Sequence, residues 1–292
     1  MYIDITKSTL QPLYDSLWIK RDDLIDPIIG GNKFRKLKYN MKRAIELNKT
    51  QLLTFGGAYS NHILATARAG EIAQLQTIGI IRGHAEKGLS PVLCKAQDMG
   101  MQLIFVSRED YKMRHEPDYI EALQTKYPSA YIIPEGGTNK YALKGIGEIK
   151  EELPQETQTI AVACGSGGTL AGLIAAYADR PDICLLGFSV LKGKDELTPT
   201  IKALLQEANI QPRCQWAVIS GHHFGGYAKA PEALKTYMHN FKQTHNIALD
   251  YVYTGKMMFG LEAWIKEQST QPQQGKIIAL HTGGLFTASL DD

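Results

Sequence analysis

Eight short runs rich in valine, isoleucine and leucine recur along the chain, and most of them end on glycine or a hydroxyl residue: QLLTFGG, TIGIIRG, MQLIFVS, AYIIPEGG, TIAVACGSGG, ICLLGFSV, WAVIS and KIIALHTGG. Apolar runs of this length with little polar alternation are strands buried on both faces. Between them lie RKLKYNMKRAIELN, SNHILATARAGEIAQ, SPVLCKAQDMG, PDYIEALQTKYP, LAGLIAAYAD and APEALKTYMHNFKQTHN. Their apolar residues recur at three and four, the spacing of one helix face. Strand and helix in alternation predict an α/β protein with mainly parallel sheets covered by helices. A length of 292 residues leaves room for two such units, at ~150 residues each. No internal repeat, low-complexity tract or flexible linker separates them. In open parallel sheets ligands sit beyond the carboxyl ends of strands, so the turns after the strands are where chemistry is expected.

Composition narrows the partners. The 32 basic and 30 acidic side chains leave a formal net charge of +2. No basic run is interleaved with aromatics to follow a nucleic-acid backbone, so nucleic acid is not an expected partner. The opening MYIDITKSTLQPLYDSLWIKRDD lacks the order of a secretory signal, and no uncharged apolar stretch reaches the ~18 residues of a membrane span. A cytoplasmic protein without membrane association is expected. The 4 cysteines, Cys94, Cys164, Cys184 and Cys214, form no CxxC pair and read as reduced, mostly buried thiols. The 8 histidines include the neighbours His222 and His223, but no HxxxH or HExxH spacing occurs and no metal site is expected.

The strongest turn lies in VACGSGGTLAGLIAAY, residues 162–177, where an apolar run enters Gly165, Ser166, Gly167, Gly168 and Thr169 and then a helix. Backbone N–H groups bared beside a helix N-terminus suit a phosphate dianion. No lysine follows the last glycine, so this is not a P-loop, and the dinucleotide fingerprint fails at Leu170. A phosphomonoester fits better than a pyrophosphate; the alternative is a tight turn that needs glycine for its geometry alone. In TFGGAYSNHILATARAG, residues 54–70, a glycine pair precedes Ser60, Asn61 and His62 at a helix start. That arrangement serves as a helix cap and equally as a cradle for a carboxylate. YVYTGKMMFGL, residues 251–261, and ALHTGGLFTA, residues 279–288, each place a hydroxyl residue before glycine, and Tyr227 adds a phenol near glycines.

GGNKFRKLKYN, residues 30–40, sets Lys33 on a glycine turn at the start of a basic helix, with Arg35, Lys36 and Lys38 close behind. Cations are disfavoured at a helix N-terminus, so this cluster implies an anion to be met. A pinned lysine together with a phosphate cup from another strand is what a carbonyl compound bearing a phosphate requires: an amine for a Schiff base at one end and an anion site at the other.

Taken together, WIKRDDL, GGNKFRKL, GGAYSNH, PEGGTN, CGSGGTLAGL, VYTGKMMFGL and HTGGL resemble, in order and over nearly the whole chain, the fold-type II pyridoxal-phosphate enzymes of the tryptophan synthase β kind. Within these they resemble the family of 1-aminocyclopropane-1-carboxylate (ACC) deaminases and D-cysteine desulfhydrases. The resemblance implies pyridoxal 5'-phosphate as cofactor, with Lys33 as its Schiff-base lysine, Lys36 as a phosphate contact and Gly165 to Thr169 as the phosphate cup. It sets Asn61 against the cofactor's ring hydroxyl, Ser60 and His62 with Asn61 at the substrate carboxylate, and Tyr227 and Tyr253 beside the reacting carbons. It also implies a discontinuous larger cofactor domain of residues 1–42 and 155–292, a smaller mobile domain of residues 43–154, and a homodimer.

One departure selects a branch. ACC deaminases carry glutamate after the second catalytic tyrosine and leucine after the last histidine, whereas Thr254 and Thr282 stand at those places here, as in the desulfhydrases. Thr282 is then the first choice for the partner of the cofactor's ring nitrogen, with Thr254 as a support. The implied activity is a lyase reaction on a small amino acid, most of all D-cysteine giving pyruvate, sulfide and ammonia. In it Lys33 takes the Cα proton, and Tyr253 or Tyr227 acts as proton donor or orienter. The alternatives are ACC deamination, elimination from other D-amino acids, and a phosphate-ligand binding protein without chemistry.

Overall fold

A computed structural model of the chain describes residues 5–193, 197–268 and 275–288. Its strands are β1 (Leu10–Tyr14), β2 (Leu17–Lys20), β3 (Gln51–Gly57), β4 (Gln76–Arg82), β5 (Met101–Val106), β6 (Ala130–Ile133), β7 (Thr157–Cys164), β8 (Cys184–Ser189), β9 (Gln215–Ile219) and β10 (Lys276–Leu280). The helices are α1 (Asn32–Glu46), α2 (Asn61–Ala73), α3 (Pro91–Asp98), α4 (Arg108–Lys112), α5 (Pro117–Lys126), α6 (Lys140–Gly147), α7 (Gly168–Ala176), α8 (Leu197–Glu207), α9 (Glu232–His245), α10 (Thr254–Gln268) and α11 (Leu285–Ala288). The strands form two sheets, a six-stranded one in the order β1-β2-β10-β7-β8-β9 and a four-stranded one in the order β5-β4-β3-β6. All pairings are parallel except β1 with β2. The expected α/β architecture with helix-covered parallel sheets is what the chain adopts.

Each sheet is apolar on both faces because helices cover both. In β7, Ile160, Val162 and Cys164 pack with α7 and α8, while Ala161 and Ala163 point the other way, toward Met257, Met258 and Leu261 of α10. In the smaller sheet Leu52 joins α1 and α2, and Leu53 and Phe55 face Tyr111 and Leu123. This two-sided burial is why the strands read as unbroken apolar runs.

Two strands were not expected. β1 and β2 form a hairpin through Asp15 and Ser16, with Asp15 at φ 43°. β1 carries Pro12, which a strand tolerates only at a sheet edge, and β1 is that edge. Helix α1 leaves the larger sheet's side and buries Phe34, Leu37, Met41 and Ala44 in the smaller sheet's core. The expected boundary at 42/43 falls inside this helix. No described helix is long and apolar enough to cross a membrane.

Candidate active site

A cavity of about 1800 Å³ opens at the carboxyl ends of β3, β4, β6, β7 and β10, lined by both halves of the fold. Lys33, the second residue of α1, stands in it. The glycine pair before it is required by close packing. Gly31 has φ 72°, and a Cβ there would lie 1.9 Å from the Thr282 carbonyl oxygen; one on Gly30 would lie 2.2 Å from the Asp26 carbonyl oxygen. The Gly31 N–H donates to the Asp22 carbonyl at 2.8 Å. The turn before α1 is thus pressed onto the turn after β10, which fixes where Lys33 enters the cavity. Burial lowers its pKa to about 8, against the opposing pull of Glu135, so a neutral, nucleophilic amine is accessible near neutral pH.

One helical turn on, the buried Lys36 Nζ lies 3.1 Å from Thr138 Oγ1, 3.3 Å from the Gly136 carbonyl oxygen and 3.5 Å from Ser166 Oγ. Burial, and then the charge of Lys33, pull its pKa well down, so an anion arriving here would restore its charge. The other cations of the cluster go elsewhere, which corrects the expectation that all four meet one anion: Arg35 binds Asp22 and Glu152, and Lys38 binds Glu148.

Facing Lys36 is the turn after β7. Gly167, at φ 75°, precedes α7, and the Thr138 and Ser166 hydroxyls are 2.8 Å apart across it. Asn32 Nδ2 donates to Thr169 Oγ1 at 2.9 Å, tying the residue before Lys33 to the helix start. A Cβ on Gly168 would sit 2.6 Å from Thr138 Oγ1 and 2.9 Å from Lys36 Nζ. Backbone amides at a helix N-terminus, two hydroxyls and a buried ammonium make a donor set that fits a phosphate dianion. Gly168→Val is accordingly expected to weaken pyridoxal-phosphate affinity by about tenfold or more by pushing Thr138 and Lys36 away. Absorbance titration of the cofactor-free protein checks this, and an unchanged affinity would remove Gly168 from the cup.

At the start of α2, the Ser60 hydroxyl caps the helix by accepting from the Ile63 N–H at 3.3 Å, and Asn61 reaches the Gly284 turn. His62 is buried with Nε2 2.8 Å from Thr54 Oγ1, whose hydroxyl donates to the Ile133 carbonyl. Nε2 is therefore the donor and Nδ1, buried and making no hydrogen bond, the acceptor. Burial, then Lys33 and Lys36, hold the ring neutral.

Tyr253 and Tyr227 meet edge to face with ring centroids 6.1 Å apart. Burial raises both phenols, Tyr253 the more, so they are proton donors at neutral pH. Tyr253 is held from below by Asp250, a buried carboxylate absent from the expected set. Its oxygens accept from the N–H groups of Val252, Tyr253 and Thr254 and from Thr254 Oγ1 at 2.6–3.0 Å. An acid four residues before Thr254 at a helix start was the available signal.

Lys33, Lys36, Ser60, Asn61, His62, Gly165, Ser166, Gly167, Thr169, Tyr227, Tyr253 and Thr282 all line the one cavity. Gly168 lies just behind it, and Thr254 does not reach it because Asp250 takes its hydroxyl. Thr138 and Glu135 join them without having been singled out.

The comparisons with known proteins agree with this geometry. The bifunctional D-cysteine desulfhydrase/1-aminocyclopropane-1-carboxylate deaminase, mitochondrial, of Arabidopsis thaliana is 30% identical over 293 residues, covering 92% of this chain and 72% of that protein. The D-cysteine desulfhydrase of Klebsiella pneumoniae is 28% identical, covering 92% of this chain and 86% of that one. A solved structure of an ACC deaminase homologue superposes with a TM-score of 0.82 at 27% identity, covering 98% of this chain and 92% of the other. The family described as pyridoxal-phosphate dependent enzyme matches residues 6–283, and the chain belongs to it.

Proposed function

We propose that the protein is a lyase that eliminates the β-substituent of a small amino acid, D-cysteine before others, with water giving pyruvate, sulfide and ammonia. The observation that carries this reading is the position of Lys33: a half-buried amine with a pKa lowered to about 8, in one cavity with a phosphate cup and two neutral phenols. Pyridoxal phosphate, when bound, supplies a carbonyl that condenses with amines and a ring that spreads the electron pair left at Cα. Lys36, Thr138, Ser166 and the amides at the start of α7 hold its phosphate. Lys33, once free, takes the Cα proton, which needs its amine neutral. Tyr253, aimed by Asp250, and Tyr227 donate hydrogen bonds or a proton toward the departing sulfur. Ser60 and Asn61 orient the substrate carboxylate. His62 presents only an acceptor and steers by shape and polarity.

The choice of D-cysteine over ACC rests on the turn after β10. There Thr282 lines the cavity, while the nearby Asp250 carboxylate is consumed by donors in the turn before α10 and at its first residue. A hydroxyl leaves the ring nitrogen less able to keep a proton than a carboxylate does. A thiolate leaves from such a site more readily than a strained carbon ring opens. The relatives' names support both substrates. Keto-acid release from D-cysteine, L-cysteine, D-serine and ACC decides between them: D-cysteine is expected to have the highest kcat/KM, and a higher value for ACC would overturn the substrate assignment. The same reading includes a homodimer and a mobile smaller unit around residues 43–154, each supported by the family resemblance.

A further inference from the structure

A charged wall of the cavity is unused by the reading above. Tyr111, on α4, is buried with its hydroxyl donating to Glu135 Oε1 at 2.8 Å. Two guanidinium groups lie against its ring, Arg114 at 4.7 Å and Arg82 at 5.6 Å from the centroid. Arg114 Nε donates to Glu135 Oε2 at 2.7 Å, so that cation has its counter-ion. Arg82 has no ion pair among the described residues.

Arg82 is the last residue of β4, in register with Gly57 of β3. Its Nη2 lies 3.6 Å from where a Cβ on Gly57 would stand, at the turn that leads to Ser60 and Asn61. Arg82, Arg114 and Glu135 line the cavity together with Lys33 and Tyr227. Two guanidiniums and one carboxylate leave this wall one positive charge in excess. The carboxylate is engaged on both oxygens, so it does not compete for Arg82. Tyr111 and the glycine turn hold the guanidinium in place before any ligand arrives, which lowers the cost of binding.

We propose that Arg82 receives a second anionic group, borne on the β-substituent of the amino-acid substrate: a phosphate ester, sulfonate or carboxylate. The inference rests on the lyase reading and extends its substrate class beyond D-cysteine and D-serine, which have no such group. For O-phosphoserine the elimination balances as follows. The Cα proton goes to Lys33, the Cβ–O bond breaks, phosphate leaves with the electron pair, and water converts the three-carbon remainder to pyruvate and ammonia.

The test compares O-phosphoserine with serine, each as D and L forms, on the holoenzyme and on Arg82→Met and Arg82→Lys. The dissociation constant is read from the change in cofactor absorbance, alongside keto-acid release. Wild-type holoenzyme is expected to bind one enantiomer of O-phosphoserine about tenfold or more tightly than the matching serine. Arg82→Met is expected to abolish that preference, and Arg82→Lys to restore part of it. Equal affinities in the wild type would overturn the proposal. So would an equal loss for both ligands in Arg82→Met, which would place Arg82 at the α-carboxylate. Failure of the lyase reading looks different: no keto acid from any amino acid, with the binding preference intact. Unchanged melting temperatures of the two variants show that the exposed Arg82 is not needed for the fold.

Discussion

Lys33→Ala is expected to lower keto-acid release from the preferred substrate by about 10²–10⁴-fold or to below detection, since both the cofactor-linking amine and the base at Cα are lost. The fold should persist. Lys33 Nζ makes no hydrogen bond or ion pair among the described residues, and alanine suits a helix better than lysine. Its lowered pKa means that burial of the ammonium disfavours the folded state below about pH 8, where the charge is present. The cofactor-free variant should therefore melt no lower than the parent at neutral pH. A second readout needs no turnover. Only the neutral amine attacks a carbonyl, so capture of pyridoxal phosphate by the cofactor-free parent should quicken as pH rises through about 8 and then level off. Near-normal activity in the variant would sink the assignment of Lys33, and a pH-independent capture rate would show that its pKa is not lowered.

Arg35→Ala should act on stability instead. The guanidinium is wholly buried and forks to Asp22 at 2.6 and 2.8 Å and to Glu152 at 2.7 and 2.8 Å. Lys20 reaches the same Glu152 at 2.7 Å. Removing the central cation leaves Asp22 buried without its main partner, a loss of about 3–5 kcal/mol. Urea unfolding of parent and variant measures it. The difference should also depend on pH. Burial alone would raise the pKa of Glu152, but the Arg35 and Lys20 contacts outweigh this and hold it below the usual carboxylate range. Its share of the stabilisation is complete above that range and is lost as pH falls through the lowered value. The gap between parent and variant should therefore narrow in acid. A loss no larger than a surface substitution gives would mean that the network is not structural.

Much of the fold was legible because its strands are buried on both sides. Such strands cannot afford polar alternation, so all eight apolar runs, from Gln51–Gly57 to Lys276–Leu280, became strands. β1 escaped notice because the chain there alternates and includes Pro12, as an exposed edge allows, and β2 because it is only four residues long. Helices α6 and α10 open on glycine- and threonine-bearing stretches that resemble turns, and only tertiary packing carries them onward. In the site, the glycine turns were visible because tight backbone approach has a composition. Their partners were not. Lys36 and Thr138 are 102 residues apart, and Thr138 and Ser166 are 28, distances over which one sequence carries no pattern. Arg35 was misread for the same reason, because its neighbours in sequence bind an anion site while its own acids lie 13 and 117 residues away.

The strand order of the larger sheet also bears on how the molecule comes to exist in a growing chain. β10, made after the other nine described strands, sits between β2, made second among them, and β7. The four-stranded sheet uses only residues 51–133, so it can assemble while the remainder is still being translated. Until residues 276–280 emerge, β2 keeps one edge unpaired, and the turn that Gly31 packs against does not exist. An open edge of this kind invites pairing with other chains. Slow or interrupted synthesis should thus produce a half-folded species with an intact four-stranded sheet, no site, and a tendency to associate through Leu17–Lys20.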